Sequence, residues 1–320
     1  MNLLFLFLDG VGLGADDSAV NPLVRAEMPN LRALLGGNPL AASAAPFTGE
    51  RATLVALDAS LGVEGLPQSA TGQAVLLTGV NIPKEIGEHY GPKPNPAVAA
   101  YLQNGRTLFS WLRANDKTAA LLNAYPPRYF HGIESGRRLF SSIPLALTSA
   151  GFPLFTKDDL YAGRALSADF TGEGWRAMLG FDDAPILSPF DAGRKTAELA
   201  SRYDFAFFEF WASDYAGHKQ DMDAACALLA SFDLALGGLL HAWDDARGLI
   251  LLTSDHGNLE DLSTRRHTDA KVPGLVVGAK SLRDKFMDGL TDLTGIAPAI
   301  KKVLEADRLD GYRACNQKGS

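Results

Sequence analysis

The ten residues from Leu249 to Asn258 read LILLTSDHGN, an apolar run that ends in an acidic residue and a histidine. A run this short and this apolar is typical of a strand that is buried on both faces of a parallel sheet. A charged pair at the end of such a strand must be solvated, paired or bound to a metal ion. Asp255 and His256 are therefore candidate metal ligands, although alone they fit a solvated strand end equally well.

Further apolar runs outline the rest of a sheet, and amphipathic stretches lie between them. Strands are predicted at residues 3–8, 53–57, 118–123, 205–210, 249–253 and 274–277. Helices are predicted at residues 96–115, 221–243 and 296–305. This alternation predicts an α/β fold with a mostly parallel central sheet and helices on both faces.

We predict one domain over residues 1–320, with the irregular segment 125–190 forming a small lid over the active edge. This segment is rich in Gly, Pro, Ser and aromatic residues. Long irregular segments in compact domains are often functional loops. Phe170 and Trp175 are candidates for its apolar cover.

Composition excludes some classes of function. The chain has 320 residues, 47% of them apolar and 21% charged, with a net charge of −7. Nucleic-acid binding is not expected, because it needs a basic face.

Cys226 and Cys315 form no CxxC pair, which suits a reducing cytoplasm. We expect no signal peptide at residues 1–8 and no apolar stretch long enough to span a bilayer. The sequence does not predict the oligomeric state.

Other candidate ligands also follow predicted strands, and the carboxyl ends of parallel strands meet at one edge. Asp9 ends the first strand, and Asp214 follows the strand at 205–210. Asp214 and His218 are four residues apart, which places them on one face of a helix. His267 precedes the strand at 274–277, so we expect its loop to fold back over the same edge. Alone, an Asp-Gly turn, a DxxxH spacing or a single histidine is usually incidental.

A candidate nucleophile lies in the stretch QSATG at residues 68–72, just before the apolar run AVLL. A serine at the start of a helix is usually only an N-cap. A helix N-terminus also stabilises an anion, so a phosphate group on Ser69 would be favoured there. Thr71 is the rival nucleophile.

Together these motifs predict a site for two divalent metal ions. Carboxylate and imidazole ligands suit Zn²⁺, Mn²⁺ or Fe²⁺, and we expect Zn²⁺ or Mn²⁺. A nearby hydroxyl is a nucleophile that a metal can activate. The predicted ligands are Asp9, Ser69, Asp214, His218, Asp255, His256 and His267.

These motifs resemble those of the alkaline phosphatase superfamily, specifically its branch of cofactor-independent phosphoglycerate mutases and phosphopentomutases. The likeness covers roughly residues 1–80 and 200–300. It implies one ion held by Asp214, His218 and His267. It implies that a second ion is held by Asp9, Asp255, His256 and the hydroxyl of Ser69. It also implies that this hydroxyl is the nucleophile that becomes phosphorylated.

Two departures from that branch affect the expected activity. Family members commonly carry a histidine where this chain has Gln73. The roughly 125 residues between Gly79 and Phe205 leave no comfortable room for the large inserted domain of the mutases. We therefore expect a phosphatase or phosphodiesterase that acts on a small phosphorylated substrate. A small phosphomutase is the alternative enzyme, and a non-catalytic metal- or phosphate-binding protein is the alternative of another class. Candidate substrate contacts are Lys84, Lys93, Arg128 and Arg164.

Overall fold

The computed structural model describes residues 1–305, so Cys315 lies outside the described range. Within this range, seven strands form one sheet and two further strands form a short separate pair. In chain order the strands are β1 (Asn2–Leu8), β2 (Phe47–Thr48), β3 (Ala52–Leu57), β4 (Ala119–Leu121), β5 (Ala124–Tyr125), β6 (Phe155–Thr156), β7 (Phe205–Phe210), β8 (Gly248–Thr253) and β9 (Val272–Val277).

Helices connect most of these strands. In chain order they are α1 (Pro22–Arg25), α2 (Pro29–Leu34), α3 (Ser69–Thr78), α4 (Ile82–Ile86), α5 (Pro96–Gln103), α6 (Leu108–Ala114), α7 (Pro127–Glu134), α8 (Ser142–Ser149), α9 (Lys157–Tyr161), α10 (Glu173–Ala177), α11 (Pro189–Ala200), α12 (Ala212–Lys219), α13 (Met222–Ala242), α14 (Lys280–Met287) and α15 (296–305). Short 3-10 turns lie at Ala42–Ala44 and Leu293–Gly295.

The α/β prediction is confirmed, and each of the six predicted runs contains a strand of the main sheet. Its spatial order is β2-β3-β9-β8-β1-β7-β4. Strands β8, β1, β7 and β4 pair in parallel, whereas β9 runs antiparallel to both of its neighbours. The sheet is therefore mostly but not wholly parallel.

The alternation of side chains along β1 divides the core between the two faces of the sheet. Leu4 and Leu6 point toward α11 and α13, where they join a cluster that includes Phe232. Phe5 and Phe7 point to the opposite face, which is covered by α3, α5, α6 and α8. Both faces of the central strands are thus buried, which explains why their sequences are almost purely apolar.

The single helix predicted at residues 96–115 is two helices, α5 and α6. Between them Gly105 adopts a positive φ of 78°, which ends the first helix. The side chain of Thr107 then caps the second helix by accepting a backbone hydrogen bond. The apolar periodicity runs through both helices, so it did not reveal the break.

The expectation that no apolar stretch could span a bilayer is wrong for α13. This helix has 21 residues, and an 18-residue window of it has a mean hydropathy of 1.6. It is weak evidence for a membrane span, because 56% of that window is buried inside the fold. Within the helix, buried Asp233 accepts hydrogen bonds from the backbone amides of Asn30 and Leu31 at the start of α2.

Segment 125–190 buries both of the aromatic residues that were predicted as cover for the site. Trp175 is buried in a small cluster with Leu160 and Ala184. Phe170, proposed as cover for the site, instead stacks on Phe208 of β7 with ring centroids 4.3 Å apart. Its ring fills the main core because β7 presents an aromatic face there. The lid function of this segment stays a prediction.

The backbones of helices α11 and α13 are in direct contact. This close packing predicts how a substitution between them changes the stability of the fold. A Cβ added to Gly238 would lie 1.9 Å from the carbonyl oxygen of Phe190. We expect Gly238→Ala to lower the free energy of unfolding by about 3 kcal/mol or more, because the helices must separate. Leu234→Ala, at a half-exposed position of the same helix, is the control and should cost under about 1 kcal/mol. Urea denaturation curves that coincide for the two variants would contradict this packing.

Candidate metal centre

The direction of the strands brings the candidate ligands together. Phe7 of β1 is in register with Glu209 of β7 and with Thr253 of β8, so these parallel strands end at one edge. The expectation that the loop of His267 must fold back was wrong. Because β9 is antiparallel to β8, it begins at the edge where β8 ends, and His267 lies there just before it.

Asp214, His218 and His267 form a first group of potential ligands. Their ligand atoms all lie within 4.8 Å of one another. The Nε2 atom of His218 is 3.3 Å from one carboxylate oxygen of Asp214, and that of His267 is 3.8 Å from the other. Ligand atoms at these separations can bind one ion at about 2.1 Å.

A second group consists of Asp9, Asp214 and His256. The Nε2 atom of His256 is 3.4 Å from Asp9 Oδ1 and 3.7 Å from Asp255 Oδ1. Asp9 Oδ1 is buried and has no hydrogen-bond partner among the described residues. Asp214 belongs to both groups and lies between them, whereas Asp255 lies beside the second group rather than within it.

The hydrogen bonds of the three histidines orient them for metal binding. Nδ1 of His218 lies 2.8 Å from the carbonyl oxygen of Arg265, and Nδ1 of His267 lies 2.8 Å from that of Pro67. Nδ1 of His256 lies 3.2 Å from its neighbour's carbonyl oxygen. A carbonyl oxygen can only accept, so each Nδ1 carries the proton and each Nε2 presents a lone pair.

Burial makes this arrangement unfavourable without a cation. Burial lowers the pKa of His256 and His267, which favours their neutral forms. Burial and the carboxylates of Asp255, Asp214 and Glu209 raise the pKa of Asp9. Burial also raises the pKa of Asp255 to about 7. Imidazole lone pairs that face buried carboxylates repel them, and a divalent cation between them fits this donor set.

Ser69 and Thr71, the two candidate nucleophiles, have different surroundings. The Ser69 hydroxyl lies 3.0 Å from Nε2 of His256. It is not an N-cap, because Gln68 occupies that position of α3. The Thr71 hydroxyl instead accepts from the backbone N–H of Tyr90 at 3.1 Å and lies near the carbonyl oxygens of Gln68 and Tyr90. Thr71 therefore ties the loop at Tyr90 to α3, and Ser69 faces the candidate ligands.

Three residues that support the site received no function from the sequence. Asn258 donates to Asp214 Oδ1 at 2.6 Å, and Gln73 donates to Asp255 Oδ2 at 3.2 Å. Buried Glu260 accepts from the backbone N–H of Gly12 and of Asn258, both at 2.8 Å. Such supporting contacts join loops distant in sequence, so the sequence placed Asn258 in a motif and Gln73 at a departure from the family but predicted none of these hydrogen bonds.

Two glycines permit the close approach of the loops that carry the ligands. Gly10 has a φ of 66°, and a Cβ there would lie 2.5 Å from Asp214 Oδ1. A Cβ on Gly217 would lie 2.7 Å from the side-chain amide of Asn258. The glycines of the Asp-Gly and DxxGH motifs thus make room for the candidate ligands.

Of the four candidate substrate contacts, only Lys93 is connected to the candidate ligands through contacts of the described residues. It follows Gly91, whose added Cβ would lie 3.2 Å from the backbone nitrogen of Ser69. Lys84 and Arg128 are exposed. Arg164 is also exposed, and its guanidinium pairs with Asp159 at 2.8 Å. None of these last three has a described contact with the candidate ligands.

Comparison with known proteins supports the metal centre. Residues 185–308 match the family model described as Metalloenzyme superfamily. A 2,3-bisphosphoglycerate-independent phosphoglycerate mutase of Moorella thermoacetica is 28% identical over 130 residues. That match covers 39% of this chain and 25% of the relative, so the chain matches about a quarter of that relative's length.

Solved structures share the fold over nearly the whole chain. The PH0037 protein of Pyrococcus horikoshii has a TM-score of 0.56, covers 95% of this chain and 96% of its own, and is 16% identical. Alkaline phosphatase from the Antarctic bacterium TAB5 has a TM-score of 0.50 over 95% and 97% of the chains, at 15% identity. The predicted resemblance to the alkaline phosphatase superfamily is confirmed as a likeness of fold to alkaline phosphatase and as a match of segment 185–308 to the Metalloenzyme superfamily model.

Metal analysis tests the predicted ligands. After chelation and reconstitution with Zn²⁺ or Mn²⁺, we expect the wild type to bind roughly two equivalents. His218→Ala and Asp255→Asn should each reduce this to about one, because the other ligands still hold part of the site. His131→Ala, on the exposed face of α7, is the control and should bind as the wild type does. Elemental analysis that finds no stoichiometric metal in the wild type would exclude the site.

Proposed function

We propose that this chain is a metal-dependent phosphoryl-transfer enzyme that hydrolyses esters of small phosphorylated substrates through a phosphoserine at Ser69. The observation that carries the proposal is the position of the Ser69 hydroxyl, 3.0 Å from His256 Nε2, which itself lies 3.4 Å from Asp9 Oδ1. A nucleophile next to a candidate metal ligand is the arrangement that metal-assisted phosphoryl transfer needs. A cytoplasmic location without membrane or nucleic-acid partners is part of the same proposal.

The proposed cofactors are two divalent ions, Zn²⁺ or Mn²⁺. Asp214, His218 and His267 would hold one of them. The remaining predicted ligands would hold the other: Asp9, Asp255, His256 and the hydroxyl of Ser69. When bound, such ions supply positive charge to the phosphoryl oxygens and favour ionisation of a hydroxyl or water.

The chain itself supplies the nucleophile and its orientation. Ser69 Oγ attacks phosphorus in line with the ester bond, the Ser69 O–P bond forms, and the bond to the leaving alcohol breaks. Ser69 is the first residue of the ten-residue helix α3, and the N-terminus of a helix favours a phosphate attached there. Water then attacks phosphorus, which releases phosphate and restores the serine.

Hydrolysis is favoured over a mutase reaction by the short segment between α3 and β7. A mutase must keep water away from its phosphoenzyme, and enzymes usually do so by closing a domain or lid. The residues between α3 and β7 already supply β4 and the helices α5, α6 and α8 that cover the sheet. The remaining residues of this segment would form only a small lid, which would exclude water from the site poorly. The mutase remains the alternative because the relative described above is a phosphoglycerate mutase.

Substitution of Ser69 tests the nucleophile. Ser69→Ala should lower kcat for p-nitrophenyl phosphate by at least roughly 10³-fold while most metal binding is retained, because the nucleophile alone is lost. Thr71→Ser, which keeps the hydroxyl that binds Tyr90, is the control and should stay within about 10-fold of the wild type. Phosphoenzyme trapped at Thr71 and mapped there by mass spectrometry would overturn the assignment.

Product analysis separates the two enzyme hypotheses. With a phosphate ester as substrate we expect free phosphate, or an alcohol from a diester, and no burst of isomerised product, because water reaches the phosphoenzyme. Phosphate release and product isomers are measured side by side by ³¹P NMR. Efficient interconversion of 2- and 3-phosphoglycerate, or of pentose 1- and 5-phosphates, would instead identify a mutase.

A further inference from the structure

A buried carboxylate that is not among the candidate ligands lies behind the metal centre. Glu260 is only 2% exposed, and within residues 1–305 it forms no ion pair. Its Oε2 accepts hydrogen bonds from the backbone N–H of Gly12 and of Asn258, both at 2.8 Å. Its Oε1 accepts from the hydroxyl of Thr268. Three donors from the chain thus compensate a buried charge that no cation neutralises.

The three donors lie on three separate segments, and each segment carries a candidate ligand. The donor after β1 lies three residues after Asp9, and the donor after β8 lies two residues after His256. The hydroxyl donor directly follows His267, just before β9. His267 belongs to the first group of ligands, whereas Asp9 and His256 belong to the second. One carboxylate therefore joins the segments of both groups.

Three glycines leave room for this side chain. A Cβ on Gly12 would lie 2.5 Å from Cδ of Glu260, and a Cβ on Gly14 would lie 2.8 Å from its Cγ. A Cβ on Gly257 would collide with its Oε1. None of these three glycines has a positive φ, so the backbone conformation does not require glycine there. The space that Glu260 occupies is what excludes a side chain at these positions.

Other hydrogen bonds join the three segments two at a time. The backbone N–H of Leu13 donates to the carbonyl oxygen of Lys271 at 2.7 Å, and that of Thr268 donates to the carbonyl oxygen of Gly257 at 3.0 Å. The Glu260 carboxylate contacts all three segments at once. Loss of the carboxylate would leave two buried backbone N–H groups without their acceptor, so the segments would have to shift to satisfy them.

We propose that Glu260 is a positioning residue that sets the separation of the segments carrying Asp9, His256 and His267, and thereby the affinity of both ions. It acts through these segments, because its two oxygens are already bound by donors from the chain. Metal ligands must be held within about 0.5 Å of their binding geometry, so a shift of any one segment weakens the site. The proposal rests on the proposed metal centre, since its effect is on ion binding.

Titration with Zn²⁺ and with Co²⁺, whose visible absorption reports the coordination geometry, tests this role without turnover. Isothermal titration calorimetry should give Kd values for both ions that are about 10- to 100-fold higher in Glu260→Ala than in the wild type. The Co²⁺ spectrum should change as well. Glu260→Gln keeps an acceptor for the two backbone N–H groups and can donate to Thr268, so it should recover most of the lost affinity.

Thr268→Val breaks only the contact with the segment of His267, and it should raise the Kd of one ion by about 10-fold. Asp261→Ala is the matched control, because Asp261 accepts hydrogen bonds from Ser263 within its own loop. This control should bind both ions as the wild type does.

Thermal denaturation of the metal-free variants separates positioning from a purely structural role. A lower Tm for Glu260→Ala with unchanged Kd values and an unchanged Co²⁺ spectrum would overturn the proposal. If Glu260→Ala does not fold, Thr268→Val decides, and wild-type affinity of that variant for both ions would reject the positioning role.

The outcomes also distinguish this proposal from the proposed hydrolysis. A wild type that binds two ions, loses affinity in Glu260→Ala and releases no phosphate from any ester keeps the positioning role and rejects the hydrolase. A wild type that hydrolyses p-nitrophenyl phosphate, with unchanged ion affinity in Glu260→Ala, keeps the hydrolase and rejects the positioning role. A wild type that binds no stoichiometric metal rejects both.

Discussion

The mutual repulsion of buried carboxylates at one edge of the sheet is the constraint on which the rest of this structure depends. Asp9, Asp214 and Asp255 converge there, and among the described residues their only ion-pair partners are histidines. Burial lowers the pKa of His256 and His267, so these two imidazoles add little charge compensation. Folding such a group into a buried site is unfavourable unless cations are bound, which couples metal affinity to the stability of the fold.

The sheet makes this convergence geometrically simple. Parallel strands β1, β7 and β8 end side by side, and antiparallel β9 begins at the same place, so four loops meet without a long excursion. Glu260 and Asn258 then connect those loops through hydrogen bonds to backbone and to Asp214. The glycines at positions 10 and 217 allow a close approach where a side chain would collide with Asp214 and with Asn258, respectively. Rigid support of this kind fixes a metal site before the metal binds.

Much of the fold could be predicted from the sequence because apolar runs identify buried strands directly. The direction of β9 could not be predicted, since a run of apolar residues is the same in either direction; this is why the position of His267 was misjudged. The break between α5 and α6 depends on one glycine with a positive φ, and the burial of α13 depends on its neighbours. For the site, the motif residues were recognisable by type and spacing. Glu260 was not, because it acts through contacts with segments far away in the sequence.

Gln73 shows how one substitution changes the electrostatics of the centre. Its amide donates to Asp255 Oδ2 at 3.2 Å, while its own Oε1 is buried without a partner among the described residues. A histidine at this position could carry a positive charge toward Asp255, whereas an amide cannot. Asp255 therefore depends more strongly on a bound cation for compensation here, and the orphaned amide oxygen has no donor within residues 1–305.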